Sequence, residues 1–397
     1  MRTNNRGFRW FAILFTFVSI LSLGFVWTTQ IENFINKALL GYRSSPKIQR
    51  FENGLAIHFV NIGQGDATVI QTPTGEVILV DAGNQTPASR HVLSNYLKNE
   101  IFKNQAERTI NLFIATHSHA DHIGSASYLL ENYDVAHIIR PKSFTPTEIA
   151  SNVPYLEFGI EGRVTPHNTI AFQQFIHSMS QSNALIEIPR KGKEIQFGNV
   201  VIRFFSPTTA FYGPDIGKVN YHKFINQLST VFTVSYSGRR VLFMGDAYTE
   251  NELRLLNYRC ENGLDAFGTL PDDPFKVDVL DVGHHGSNTS TSTLFLNKIR
   301  PSYAILQLGR NHYGHPHSEV IGRLESIDAN ILITRQVGHV LVQIDTDGRL
   351  IVQTIPDSNQ FWVNYWMIFL PILLTPLLFI SIGKVVKRTK VLYMFPS

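Results

Sequence analysis

The run Thr116-His117-Ser118-His119-Ala120-Asp121-His122 constrains this chain more than any other stretch. Three imidazoles and a carboxylate fall within six residues, behind the apolar run Leu112 to Ala115. On an extended backbone alternate side chains share a face, so His117 and His119 point the same way. Asp121 and His122 fall where a helix can start, with Ile123 to Leu130 as its body. A strand end joined to a helix start lets one pair face one metal ion and the other pair a second. Neutral imidazole and carboxylate suit zinc, manganese or iron.

Composition narrows the rest. With 397 residues and 44% apolar content the chain can bury a full core, as one domain of about 300 residues with terminal appendages. Cys260 is the sole cysteine, so no internal disulfide forms; its thiol reads as a small buried apolar group. A net charge of +4 permits an anionic substrate without showing one. No basic stripe interleaved with aromatics marks a nucleic-acid surface in the central region.

Two apolar runs flank that region. Trp10 to Trp27 follows Arg2, Arg6 and Arg9. As a helix its eighteen residues reach about 27 Å, against a bilayer core of about 30 Å. A cleavable signal peptide is the rival reading, and no small-x-small cleavage site stands out to favour it. Phe361 to Gly383 opens on Phe361, Trp362, Tyr365 and Trp366, an interfacial aromatic belt, and is followed by Lys384, Lys387, Arg388 and Lys390. The positive-inside rule puts both ends in the cytoplasm and everything between the crossings outside. The expected layout is a cytoplasmic tail (1–9), a membrane helix (10–28), a linker (29–50), a central domain (51–356), a second membrane helix (361–383) and a basic cytoplasmic tail (384–397).

The H-x-H-x-D-H spacing resembles the metallo-β-lactamase-like hydrolases. Further segments extend the likeness: Val80-Asp81-Ala82-Gly83, Val241-Leu242-Phe243-Met244-Gly245-Asp246, and Asp278 through His284-His285-Gly286-Ser287. Within that superfamily the chain is most similar to the extracytoplasmic domain of the ComEC competence proteins. Four phrases carry this: Val60-Asn61-Ile62-Gly63-Gln64-Gly65-Asp66-Ala67, Asn226-Gln227-Leu228-Ser229, His284-His285-Gly286-Ser287, and Asn311-His312-Tyr313-Gly314-His315-Pro316-His317. The likeness spans roughly Phe51 to Thr354 and omits the multi-helix channel of a full ComEC.

The resemblance implies an α/β fold, the four-layer αββα metallo-β-lactamase sandwich, here flanked by two transmembrane helices. It implies one or two divalent ions, zinc or manganese. His117 and His119 would serve the first ion; Asp121 and His122 the second, joined by His285 or by its competitor His284. Asp246 would bridge both, and Asp81 would orient a liganding imidazole. Many relatives carry a further His where this chain has Phe204-Phe205-Ser206-Pro207, so Asn226 or a water completes the first ion's shell, or that site is weak. His315 would bind or protonate a phosphate, with His312 beside it, because histidine titrates near neutrality. Asp66 contacts the site or fixes the turn beneath it; Ser287 caps the segment after His285 or touches substrate.

The expected activity is a membrane-anchored metallo-hydrolase acting on DNA or another phosphodiester, with Asp121, Asp246 and His315 as catalytic groups. A lactone, thioester or β-lactam substrate, or a non-catalytic binding module, is the alternative, since one fold hosts many chemistries.

Overall fold

The computed structural model describes residues 53–103, 108–141, 169–206, 225–256 and 276–356. The two apolar runs, the linker, both terminal tails and residues 142–168 lie outside the described residues. Among the described residues no helix is long and apolar enough to cross a membrane.

Short β-branched and aromatic runs separated by turns become strands. In chain order they are β1 (Leu55–Phe59), β2 (Thr68–Gln71), β3 (Val77–Val80), β4 (Thr109–Ile110), β5 (Leu112–Ile114), β6 (Asp134–Val135), β7 (His137–Ile139) and β8 (Leu185–Glu187). β9 (Glu194–Phe197), β10 (Val200–Phe204), β11 (Phe232–Tyr236), β12 (Arg239–Phe243), β13 (Val279–Asp281), β14 (Tyr303–Leu306) and β15 (Asn330–Ile333) form a second sheet. β16 (His339–Ile344) and β17 (Leu350–Ile355) return to the first, joined by the Asp345–Gly348 hairpin turn. The first sheet runs β17-β16-β1-β2-β3-β5-β7-β8 and the second β15-β14-β13-β12-β11-β10-β9.

Alternation along the strands sets the layers. Val77, Leu79 and Phe113 face one core, packed against α1 (Pro87–Tyr96), α2 (Ala120–Ile123), α3 (Ala126–Asn132) and α4 (Ile170–Gln181). Their neighbours Ile78, Val80, Leu112 and Ile114 point the other way, into a core shared with Val234, Val241 and Phe243 of the second sheet. A third core lies between that sheet and α5 (Thr249–Leu256), α6 (Thr293–Ile299) and α7 (Ser318–Glu325). The layers therefore stack helix, sheet, sheet, helix, the α/β sandwich that the resemblance implies. Each fully buried Leu, Ile or Phe contributes about 1.5–3 kcal/mol, so the two faces of every inner strand lock its register.

Each sheet is antiparallel on one side and parallel on the other. β3, β5, β7 and β8 run parallel, as do β12, β13, β14 and β15. The carboxyl ends of these parallel strands open onto a common rim, the place where open α/β sheets hold their chemistry. One expectation changes here. The helix after the motif is two pieces, α2 and α3, because the Gly124 N–H bonds to the Gly83 carbonyl and the Ser125 hydroxyl to the Asn84 carbonyl. Those bonds dock the motif onto the loop after β3.

Candidate metal centre

Each site loop leaves the carboxyl end of a parallel strand. Asp81 follows β3, Thr116 to His122 follow β5, Asp246 follows β12, and His284 and His285 follow β13. The Thr230 N–H bonds to the Thr116 carbonyl (2.8 Å) and joins the two sheets at the rim. Two glycines permit the close approach. A Cβ at Gly245 (φ +49°) would stand 2.9 Å from Thr116 Cβ, and one at Gly65 (φ +120°) would stand 2.1 Å from the Asp121 carbonyl oxygen. Asp81, His284 and His285 also adopt positive φ, at 56°, 52° and 52°. Non-glycine residues held there cost about 1–3 kcal/mol each, and such strain gathers where side chains must be aimed.

Asp246 is buried and sits between two groups of imidazoles. Its Oδ1 lies 3.2 Å from His122 Nε2 and 3.7 Å from His285 Nε2. Its Oδ2 lies 3.4 Å from His117 Nε2 and 3.7 Å from His284 Nε2. His285 Nε2 also meets Asp121 Oδ2 at 3.2 Å, and His117 Nε2 meets His119 Nδ1 at 3.1 Å. His117, His119 and Asp246 offer ligand atoms within 4.8 Å of one another, and so do Asp66, His122 and His285.

The far side of each ring fixes its tautomer. A carboxylate accepts, so His122 Nδ1 donates to Asp81 Oδ2 (2.7 Å) and Nε2 keeps a lone pair. His285 Nδ1 donates to the Gln307 carbonyl (2.8 Å), leaving its Nε2 likewise. Thr116 donates to Asp81 twice, from N–H and from hydroxyl (2.7 Å each), and its oxygen lies 3.1 Å from His117 Nδ1. Asp66 reaches the deep group from behind: its Oδ1 is 3.1 Å from His285 Nδ1 and its Oδ2 3.9 Å from His122 Nδ1. Its place is therefore beside Asp81, on the supporting side, and not among the converging Nε2 atoms.

This donor set fits a divalent metal. His122 Nε2 and Asp246 Oδ1 are buried, face each other, and have no hydrogen-bond partner. Two lone-pair atoms left so close together need a cation between them. Without one, protons take its place. Burial opposes charge on His122, but Asp246, Asp81 and Asp66 outweigh it and hold the imidazole well above its usual range. His285 is likewise held up against burial by Asp66 and Asp246. Burial pushes Asp246 up, yet His122, His284 and His117 together hold it well below the carboxylate range. Burial and the neighbouring His117 push His119 down to about 2, so it stays neutral and ready to ligate.

Other expected residues separate by place. Asn226 is buried, and its Nδ2 donates to His284 Nε2 and to the Tyr248 hydroxyl (3.3 Å each). Ser287 caps its own turn: its Oγ meets Thr289 Oγ1 (3.0 Å), the hydroxyl that also meets His284 Nδ1 (2.9 Å). His312 is exposed, with Tyr313 as its ring neighbour. His315 stands edge-on to His284, with ring centroids 5.3 Å apart. Burial and the imidazoles of His284 and His285 push His315 down to about 4, so it does not keep the near-neutral titration expected for a phosphate acid. Sequence reasoning missed Gln307, whose carbonyl orients His285 while its side chain links the Ala67 N–H to Asp281. It also missed Ser229 as the hydroxyl that receives the Asp246 N–H (3.1 Å). Ser229 was visible only as part of a quoted phrase, and Gln307 carried no signal.

The model of the Metallo-beta-lactamase superfamily matches residues 60–168. ComE operon protein 3 of Bacillus subtilis is 25% identical over 295 residues, which cover 72% of this chain and 32% of that protein. Recombination protein 2 of Haemophilus influenzae is 28% identical over 308 residues, covering 76% of this chain and 30% of that protein. The chain thus spans about a third of the length of these curated relatives. A solved metallo-beta-lactamase fold protein of Bacillus subtilis, YhfI, aligns at 12% identity and a TM-score of 0.40, over 76% of this chain and 100% of its own. Residues 60–168 are thus similar to the Metallo-beta-lactamase superfamily, and a further curated relative, Competence protein ComA of Neisseria gonorrhoeae, is 34% identical over 110 residues, covering 28% of this chain and 14% of that protein.

Proposed function

We propose that this protein is a membrane-anchored phosphodiesterase that cleaves nucleic-acid strands outside the cytoplasmic membrane. The observation that carries the metal-dependent part is Asp246, with one carboxylate oxygen turned to each group of imidazoles. A pair of divalent ions, zinc or manganese, would supply Lewis acidity and a water of lowered pKa. His117, His119 and Asp246 Oδ2 would hold one ion; Asp121, His122, His285 and Asp246 Oδ1 the other.

The chain's own groups have distinct tasks. Asp81 and Gln307 keep the imidazoles in the tautomer that presents Nε2. Asp121 has the most exposed of these carboxylates, 26% against 4% for Asp246, and is placed to accept the proton of an attacking water. His315, neutral at working pH, donates a hydrogen bond to a phosphoryl oxygen and gives up no proton. Hydrolysis balances as one water consumed and one P–O ester bond cut: the proton taken by Asp121 passes on to the leaving oxygen, and the other stays on the new phosphate monoester or ionises to solvent.

Phosphodiester is favoured over carbonyl substrates by the likeness to a relative named a competence protein. Anchoring rests on the two apolar runs and their basic flanks. The test uses full-length protein in detergent, with manganese or zinc, on single-stranded DNA and on a panel of lactones, thioesters and β-lactams. Cleavage of DNA, lost in His119→Ala, supports the reading; turnover confined to the carbonyl panel replaces it. Protease added to intact spheroplasts should degrade the central domain, and its survival would reverse the orientation.

A further inference from the structure

Beside the metal centre, a row of rings runs outward from the cluster to solvent. His284, whose Nε2 is 3.7 Å from Asp246 Oδ2, stacks on Tyr248 (centroids 5.3 Å apart) and meets His315 edge-on at 5.3 Å. His315 meets Tyr313 at 5.7 Å, and Tyr313 meets His312 at 5.8 Å. Tyr313, beside the exposed His312 at the outer end of the row, is 65% exposed, a large aromatic left in water.

That exposure is built into a braced loop. Asn311 Oδ1 accepts from the N–H groups of Tyr313 (3.2 Å) and His315 (3.1 Å), while its Nδ2 donates to the carbonyls of Gly309 and His315. At its start the Gly309 N–H bonds to Gln64 Oε1 (3.3 Å), and at its end the His317 N–H bonds to the Gly286 carbonyl (2.9 Å). Both ends are thus tied to the loops that carry Asp66 and His285. A side chain presented this way loses little conformational freedom when something stacks on it. Arg310, exposed on the same loop, adds a positive charge.

We propose that Tyr313 is a stacking platform for an unpaired nucleobase, which places the adjoining phosphodiester over the cluster at Asp246. This rests on the phosphodiesterase reading for its purpose, but its physical content is a binding preference. Every base offers a π-face and a duplex hides it, so the platform selects single strands without selecting sequence. Tyr313 is a positioning residue: it touches the base and not the reacting atoms.

The experiment compares a fluorescently labelled single-stranded oligonucleotide with the same strand made abasic throughout. Binding of each to full-length protein in detergent with chelator is read by anisotropy, and kcat and KM are then measured with manganese. Wild-type protein should bind the base-bearing strand about tenfold more tightly than the abasic one. Tyr313→Leu should reduce that ratio to near unity, and Tyr313→Phe, which keeps the ring, should retain it. The loss should appear in KM for the base-bearing strand. Equal affinities for the two strands in wild type, or a ratio unchanged in Tyr313→Leu, would overturn the platform. A Tyr313-dependent binding ratio without cleavage of either strand would sink the phosphodiesterase reading and leave the platform standing.

Discussion

The two halves of the metal centre are built from the same residue types and supported differently. In the deep half, His122 is backed by the Asp81 carboxylate and His285 by the Gln307 main-chain carbonyl. In the shallow half, His117 is backed by the Thr116 hydroxyl and His284 by the Thr289 hydroxyl (2.9 Å). A carboxylate or carbonyl raises the basicity of the imidazole it receives a proton from, and a hydroxyl does so less. Among the four imidazoles so backed, His284 is the more open: its side chain is 18% exposed, while those of His117 and His122 are fully buried and that of His285 is 3% exposed. The difference teaches that one motif can make a tight site and a loose one side by side, and the deep half should fill first. Asp81 couples them, since it holds His122 directly and His117 through Thr116.

The most severe break is Asp246→Ala, which removes one oxygen from each half. Metal content of the full-length chain should fall well below one ion, and cleavage should drop about a thousandfold, the several kcal/mol that metal polarisation supplies. Retention of two ions by this variant would refute the shared-carboxylate geometry. Asp81→Asn comes next. Losing the oriented proton on His122 should weaken the first-filled site about 10–100-fold by competition with a chelator, with a smaller effect on the second. Equal weakening of both would show that Thr116 passes Asp81's influence on undiminished.

Much of this was legible in the chain. The motif from His117 to His122 was read as a site element from its spacing, and the Asp81 and Asp246 segments and the His284-His285 pair from their likeness to the metallo-β-lactamase-like hydrolases. What was not legible is aim. Both His284 and His285 occupy left-handed backbone on one tight turn, and that geometry turns their Nε2 atoms to opposite oxygens of Asp246. A choice between the two as a single ligand did not anticipate that each faces its own half. Asp66 could be named from its phrase, but only the fold shows it behind the rings. Gln307 acts through its main-chain carbonyl, which any residue possesses, so no sequence signal marks it.

Proton linkage gives a milder test of the same asymmetry. His122 and His285 are held above the ordinary imidazole range in the metal-free chain, by Asp246, Asp81 and Asp66 against the opposing effect of burial. Metal entry must displace those protons, so affinity for the deep half should fall about tenfold per pH unit for each proton displaced. The shallow half, with His119 already neutral, should depend less on pH. Calorimetric titration in buffers of different ionisation enthalpy counts the protons released; none released on binding the first ion would contradict the assignment. The sign for the metal-free fold is opposite. A raised histidine contributes stability below its unfolded value of about 6.5 and loses it as pH rises through the folded value. Chelated protein should therefore lose thermal stability on going from slightly acid to alkaline pH.

The smallest effect should come from Thr289→Val, which removes the hydroxyl facing His284 Nδ1 and leaves the ring its contacts with Asn226 and Tyr248. With that oxygen gone, His284 Nδ1 loses the partner that holds the ring beside Asp246, and the shallow half should bind its ion a few-fold more weakly while the deep half is unmoved. Stepwise metal titration separates the two, because the deep half fills first. If the first binding event weakens instead of the second, the order of filling is reversed, and the hydroxyl-backed half is the tighter one.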